Sequence, residues 1–138
     1  MWWLLAALLV TAAVAIPLLI RARRRRAWRS ELDGSCGEVD WFARTLIPQL
    51  QAAASTEQVA GGWVVAEPRV TAAEDGLTAL EARGPDDDAR GRARALRDAV
   101  RTAREDVTKR TMDQPSPELQ EVAARLEDAL VATQPPAL

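Results

Sequence analysis

No charged side chain occurs between Met1 and Ile20 at the amino end of the chain. A helix of about 20 residues rises roughly 30 Å, which matches the hydrocarbon core of a bilayer. The stretch is apolar on all sides of such a helix, whereas a helix at the edge of a soluble domain has only one apolar face. The stretch therefore predicts a transmembrane helix over residues 1–20.

Tryptophan and arginine mark the two ends of this stretch. Indole rings favour the membrane interface, and basic residues next to a span stay on the cytoplasmic side. We therefore expect a single-pass protein of the plasma (inner) membrane with its N-terminus outside and a cytoplasmic C-terminal domain. The predicted membrane-interface residues are Trp2, Trp3, Arg21, Arg23, Arg24, Arg25, Arg26 and Trp28.

Two further interpretations concern the same region. Ala13-Val14-Ala15 resembles the cleavage site of a secretory signal peptide, but no basic residue precedes the apolar run, which continues to Ile20. The five arginines at 21 and 23–26 are typical of a stop-transfer signal. They would also attract anionic lipid, by about 1 kcal/mol per residue near the surface. These last two roles are compatible.

Composition excludes several classes of function. The chain has no histidine and one cysteine, Cys36, so it offers no imidazole base, no intrachain disulfide and no cysteine cluster for zinc. Beyond the five arginines, 13 basic residues face 20 acidic ones, which argues against binding to nucleic acid. We expect a non-enzymatic protein with no catalytic, cofactor-binding or metal-binding residues and no small-molecule substrate. The 27 alanines, and 17 arginines against one lysine, indicate a GC-rich bacterial genome.

The remainder of the chain has helical periodicity. The pattern predicts an all-α fold, in which the transmembrane helix precedes a small bundle of three to four mostly antiparallel helices. The predicted parts are a transmembrane helix at 1–20, a basic collar and hinge at 21–37, a bundle at 38–133 and a disordered tail at 134–138. The predicted helices cover about 38–54, 68–83, 86–111 and 117–133, with a turn at 33–37 and an extended segment at 61–66. Pro48 either kinks the first of these helices or begins a second piece of it.

Two features of the bundle are candidate partner contacts. Five arginines line one side of the helix at 86–111: Arg90, Arg94, Arg97, Arg101 and Arg104. They would bind an anion or an acidic partner, or else pair internally. The candidate internal partners are Asp98 and Glu105 on the same helix, and Glu74, Glu81, Glu121 and Glu127 on other helices. Trp63, which follows two glycines, is either a docking residue or part of the core.

These observations favour a membrane-anchored adaptor, or an accessory subunit of a bacterial membrane complex, that contacts lipid and a protein partner. The alternative is a self-assembling, coiled-coil-like structural protein of the cell envelope or division machinery. A third hypothesis is a sensor of anionic lipid or phosphate that uses the arginines of the helix at 86–111.

Overall fold

The computed structural model describes residues 1–135, which are helical and contain no strand. The elements are α1 (Trp2–Trp41), a π-helical segment (Phe42–Leu46), α2 (Ile47–Gln51), α3 (Thr56–Ala82), α4 (Asp87–Thr111) and α5 (Leu119–Thr133). This arrangement confirms the predicted all-α fold, in which one long apolar N-terminal helix is followed by a helical bundle. The part of the predicted tail at 136–138 lies outside the described residues.

The second half of α1 packs with α3, α4 and α5 as an antiparallel four-helix bundle. α3 lies against α1 and α4, and α5 lies against α4 and α1. Because each helix reverses the direction of the one before it, the α3–α4 connection returns to the end of the bundle nearest the apolar stretch. Two contacts place it there: Trp28 Nε1 donates to the Leu80 carbonyl at 2.9 Å, and Arg25 lies 3.8 Å from Asp86. We call residues 21–31 and 83–90 the proximal end.

The apolar first half of α1 makes no contribution to the core of the bundle. Among residues 1–135, the 24 buried apolar residues all lie between Trp28 and Leu130 and form one continuous core. The aliphatic side chains from Leu4 to Ile20 are all exposed. This half of α1 is long and apolar enough to cross a membrane.

The turn predicted at 33–37 is wrong, because α1 continues through it as regular helix. Leu32 and Val39, which flank this segment, are both buried against the bundle at a spacing of seven residues. A glycine within a helix costs about 1 kcal/mol relative to alanine. Burial of these two aliphatic side chains, at about 1.5–3 kcal/mol each, outweighs the cost of Gly34 and Gly37.

Pro48 lies in the first turn of α2, so the interpretation that it begins a second piece of helix is confirmed. Proline has no N–H to donate, and its ring collides with the carbonyl four residues earlier in a regular helix. The π-helical segment just before it widens the turn, with the Ile47 N–H bonding to the Phe42 carbonyl five residues back. The chain therefore accommodates Pro48 while Phe42 and Ile47 both stay buried.

The extended segment predicted at 61–66 and the helix start predicted at 68 are wrong, because α3 begins at Thr56. Ser55 caps this helix by accepting from the Gln58 N–H, and the Gln58 side chain accepts in turn from the Ala54 N–H. Four side chains at helical spacing bury one face of the segment: Val59, Trp63, Ala66 and Val70. Pro68 falls on the exposed side of the helix, where water can reach the backbone carbonyl that it leaves unpaired.

The start of α4 is predicted correctly and that of α5 is not. Asp86 caps α4 by accepting from the Ala89 N–H at 2.8 Å, and Asp87 and Asp88 lie in the first turn. α5 begins at Leu119 rather than at residue 117, with Glu118 at the cap position. Leu119 is buried, and its packing fixes where the helix begins.

Candidate functional site at the proximal end

The arginines of α4 are paired with carboxylates of the protein itself. Arg94 Nε donates to Glu81 Oε1 at 2.6 Å, and Arg97 binds the other oxygen of Glu81. Arg101 Nε donates to Glu74 Oε1 at 2.7 Å. The remaining two arginines, Arg90 and Arg104, contact Asp87 and Glu74. Of the two interpretations of this stripe, the structure therefore has the internal pairing, and four of the five guanidinium groups join α4 to α3.

Glu74 is the buried centre of this pairing, with only 6% of its surface exposed. Arg104 Nε lies 3.0 Å from Glu74 Oε2, but the approach is too oblique for a hydrogen bond, so the attraction there is electrostatic. The hydrogen bond to Glu74, and then the charge of that carboxylate, raise the pKa of the Arg101 guanidinium above its ordinary value. Two arginines thus compensate one buried carboxylate.

Trp63 and Trp28 both belong to the core. Trp63 is 2% exposed, stacks on Phe42 with ring centroids 6.0 Å apart and donates to Thr108 Oγ1 at 3.2 Å. It is therefore not a docking residue. Trp28 is 7% exposed, and its indole N–H is bonded to the Leu80 carbonyl, so it does not lie at the membrane interface as predicted. Trp2 and Trp3 are exposed at the other end of the apolar stretch.

The proximal end carries a net positive charge. It holds eight arginines and four carboxylates, a net charge of +4. The whole chain has a formal net charge of −2, so the remainder carries −6. Six of these arginines come from α1, and the fold adds Arg83 and Arg90. Residues 83–90 also contain Asp86, Asp87 and Asp88, so this segment lowers the net charge by one, and the excess of positive charge comes from α1.

A cleft of about 460 Å³ opens within this end, between α1 and the α3–α4 connection. We call it the arginine cleft. Its lining consists of Arg21, Arg24, Arg25, Arg83, Gly84 and Pro85. Three of these arginines were expected at the membrane interface. Arg83 and Gly84 were missed as site residues, although alternation of helix direction in an antiparallel bundle could have placed them beside the collar.

A second cavity, of about 400 Å³, shares Arg25 and Pro85 with the arginine cleft. Its wall is more apolar and includes Trp28 and Leu130. Gln134 and Pro135 also line it, and residues 136–138, which follow them in the chain, lie outside the described part. The lining of the arginine cleft, by contrast, is distant in sequence from residues 136–138.

Neither the acidic residues nor the cysteine forms a reactive centre among residues 1–135. No group of three or more Asp, Glu or Cys side chains there could hold a metal ion. The thiol of Cys36 is half-buried. Burial, and then the nearby charge of Asp33, raise the pKa of this thiol, which disfavours the reactive thiolate.

Comparison with known protein families, with curated proteins and with solved structures found no match to this chain.

Proposed function

We propose that the protein is a non-enzymatic adaptor, or an accessory subunit of a bacterial membrane complex, anchored by one transmembrane helix. The observation that carries the proposal is the continuity of α1. Its first half exposes only uncharged side chains, and its second half supplies Trp28, Leu32 and Val39 to the core of the bundle. A bundle built on the anchor itself is held next to the membrane, where it can meet another membrane protein.

The distribution of charge supports an orientation with the bundle in the cytoplasm. Basic residues close to a span are retained on the cytoplasmic side. The arginines of α1 give the proximal end a net charge of +4, whereas the remainder of the chain carries −6. Anionic lipid would attract the proximal end and repel the remainder of the chain. In this orientation the N-terminus lies outside the plasma membrane.

Cysteine labelling would test the membrane topology. In a Cys36→Ser background, we expect a membrane-impermeant maleimide to label Trp2→Cys in intact cells. Val65→Cys, at a position whose side chain is 82% exposed on the bundle, should react only after the membrane is opened. The chain should also resist extraction by alkaline carbonate. Labelling of Val65→Cys in intact cells, or a secreted chain that begins after Ala15, would contradict the proposed topology.

Photo-crosslinking in native membranes would separate the adaptor from the self-assembling alternative. The bundle closes its own core, so it leaves no heptad seam that needs a second copy. A photoreactive residue at Val65 should therefore give an adduct with a different protein. A matched probe at Leu77, which is fully buried, should give none. An adduct with the mass of two copies of the chain would favour self-assembly instead, and the lack of any adduct at Val65 would count against docking at this surface.

A further inference from the structure

We propose that the arginine cleft binds the phosphate group of an anionic phospholipid. The inference rests on the proposed membrane anchoring and deepens it, because it assigns a defined lipid site to the fold. Guanidinium groups bind phosphate oxygens through charge-assisted hydrogen bonds, often two at a time. Four of the six residues that line the cleft are arginines.

The position of the cleft along α1 places it at the depth of the headgroups. Arg21 and Arg24 follow Ile20, the last residue of the apolar stretch, by one and four residues. At about 1.5 Å per residue they lie roughly 1.5 and 6 Å beyond it along the helix axis. A phosphate attached to a lipid in the same leaflet reaches this level without leaving the bilayer. Position therefore favours a lipid headgroup over a soluble phosphate compound as the ligand.

The charges of the cleft are only partly compensated by the protein. Arg83 is paired with Glu31 at 2.7 Å, and Arg25 lies 3.8 Å from Asp86. Arg21 and Arg24 make no ion pair with any residue in the range 1–135. Within the bundle, by contrast, the α4 stripe is fully paired. The cleft thus keeps about two positive charges available for an anion.

The wall opposite α1 is a tightly formed connection. A Cβ atom at Gly84 would lie 2.5 Å from Arg90 Cγ and 3.0 Å from the Arg90 backbone nitrogen. Only glycine allows this close approach of the connection to α4. On the other wall, Trp28 fixes α1 against α3. Both walls are therefore held before a ligand arrives, which reduces the entropy lost on binding.

The cleft uses only one face of the arginine collar. At about 100° per residue, Arg21, Arg24 and Arg25 lie within roughly 60° of the buried Trp28 around the helix axis. Arg23 and Arg26 lie about 140° and 160° away from it, on the opposite face. General attraction between the collar and anionic lipid would involve both faces equally. A headgroup site in the cleft would depend on the first face alone.

This difference between the two faces provides a matched test with the full-length protein. Purified chain in detergent would be titrated with phosphatidylglycerol and with zwitterionic phosphatidylcholine, and bound lipid measured by native mass spectrometry. We expect Arg21→Gln with Arg24→Gln to weaken binding of phosphatidylglycerol at least about tenfold. Arg23→Gln with Arg26→Gln makes the same change of charge on the opposite face and should weaken it less than about threefold. Phosphatidylcholine should bind weakly to every variant.

Two further arms identify the source of the phosphate and the role of the connection. Free glycerol phosphate should not displace the lipid, whereas displacement at equal concentration would assign the site to a soluble phosphate. Arg83→Gln should also weaken lipid binding, although it leaves the collar intact. Equal losses in the two collar variants, or no loss in either, would overturn the proposal. Because these titrations use protein already in detergent, they are independent of the labelling that tests the topology.

Discussion

Replacing Trp63 by alanine should lower the free energy of unfolding of the bundle by about 3–5 kcal/mol. The indole is 2% exposed, stacks on Phe42 and donates to Thr108. Alanine would leave a cavity between α3 and the π-helical segment, and it would remove one of the two hydrogen bonds of the Thr108 hydroxyl. Small domains have a total stability of only about 5–15 kcal/mol, so much of it would be lost.

The next residue along the chain provides the control for this substitution. Val64 lies on the same turn of α3 but is exposed, so Val64→Ala should change stability by no more than about 0.5 kcal/mol. The full chain in detergent would be unfolded with urea, and the folded fraction followed by pulse proteolysis. Pulse proteolysis measures the folded fraction of the bundle and does not depend on whether the apolar half of α1 stays helical in urea. Equal midpoints for the two variants would mean that Trp63 is not part of the core.

Removing Arg101 and Arg104 together should destabilise the bundle by about 3 kcal/mol. These arginines are the partners of Glu74, which is 6% exposed, and the double change to alanine would leave a buried carboxylate uncompensated. The loss should be recovered by adding Glu74→Leu, because an apolar side chain of similar volume has no charge to compensate. The three substitutions together should therefore be more stable than the two.

A control double variant on the same helix removes the same number of positive charges. Arg90 and Arg110 pair with exposed carboxylates of Asp87 and Glu118, so changing both to alanine should cost less than about 1 kcal/mol in total. Urea midpoints of the unmodified protein, the double variant, Glu74→Leu alone and the triple variant would give the coupling between Glu74 and its arginines. If Glu74→Leu failed to rescue the double variant, the arginines would act through some contact other than this ion pair.

The helix that the sequence predicts best is the one with signals at both ends. α4 has Asp86 as its cap, carboxylates in its first turn, and Lys109 and Arg110 in its last. Its apolar stripe predicts the same helix as these terminal signals do, so local sequence preference and packing in the bundle agree. The start of α3 carries a comparable signal in the pair Ser55 and Gln58, but the glycines that follow obscure it.

The errors lie where tertiary packing outweighs local preference. Gly34, Gly37, Gly61 and Gly62 all weaken a helix, yet each lies between side chains that are buried at helical spacing. Trp28 follows a basic collar and fits a membrane interface by composition alone. Trp28 is buried because α3 returns to the same level along α1, and no local sequence pattern indicates this long-range contact.

The candidate site was predicted in part for the same reason. The arginines of the collar stand out in the sequence, whereas Arg83 and Gly84 are adjacent to them only through the antiparallel topology. For the α4 stripe, spacing identified a single face and acidic residues of other helices as candidate partners, but not which of those helices lies beside it. Glu74 and Glu81 occupy it because α3 and α4 pack side by side over most of their lengths.

The helix is unbroken between the apolar stretch and the bundle, so it connects the two rigidly. In the proposed membrane-anchored protein, tilting or rotating the apolar stretch would tilt or rotate the bundle with it, because no flexible linker joins the two. One residue added at the collar would swing the bundle about 100° around the helix axis and lift it only about 1.5 Å. In the proposed membrane-anchored protein, the direction in which the bundle faces its neighbours in the plane of the membrane would thus be set by the number of residues between the apolar stretch and the bundle.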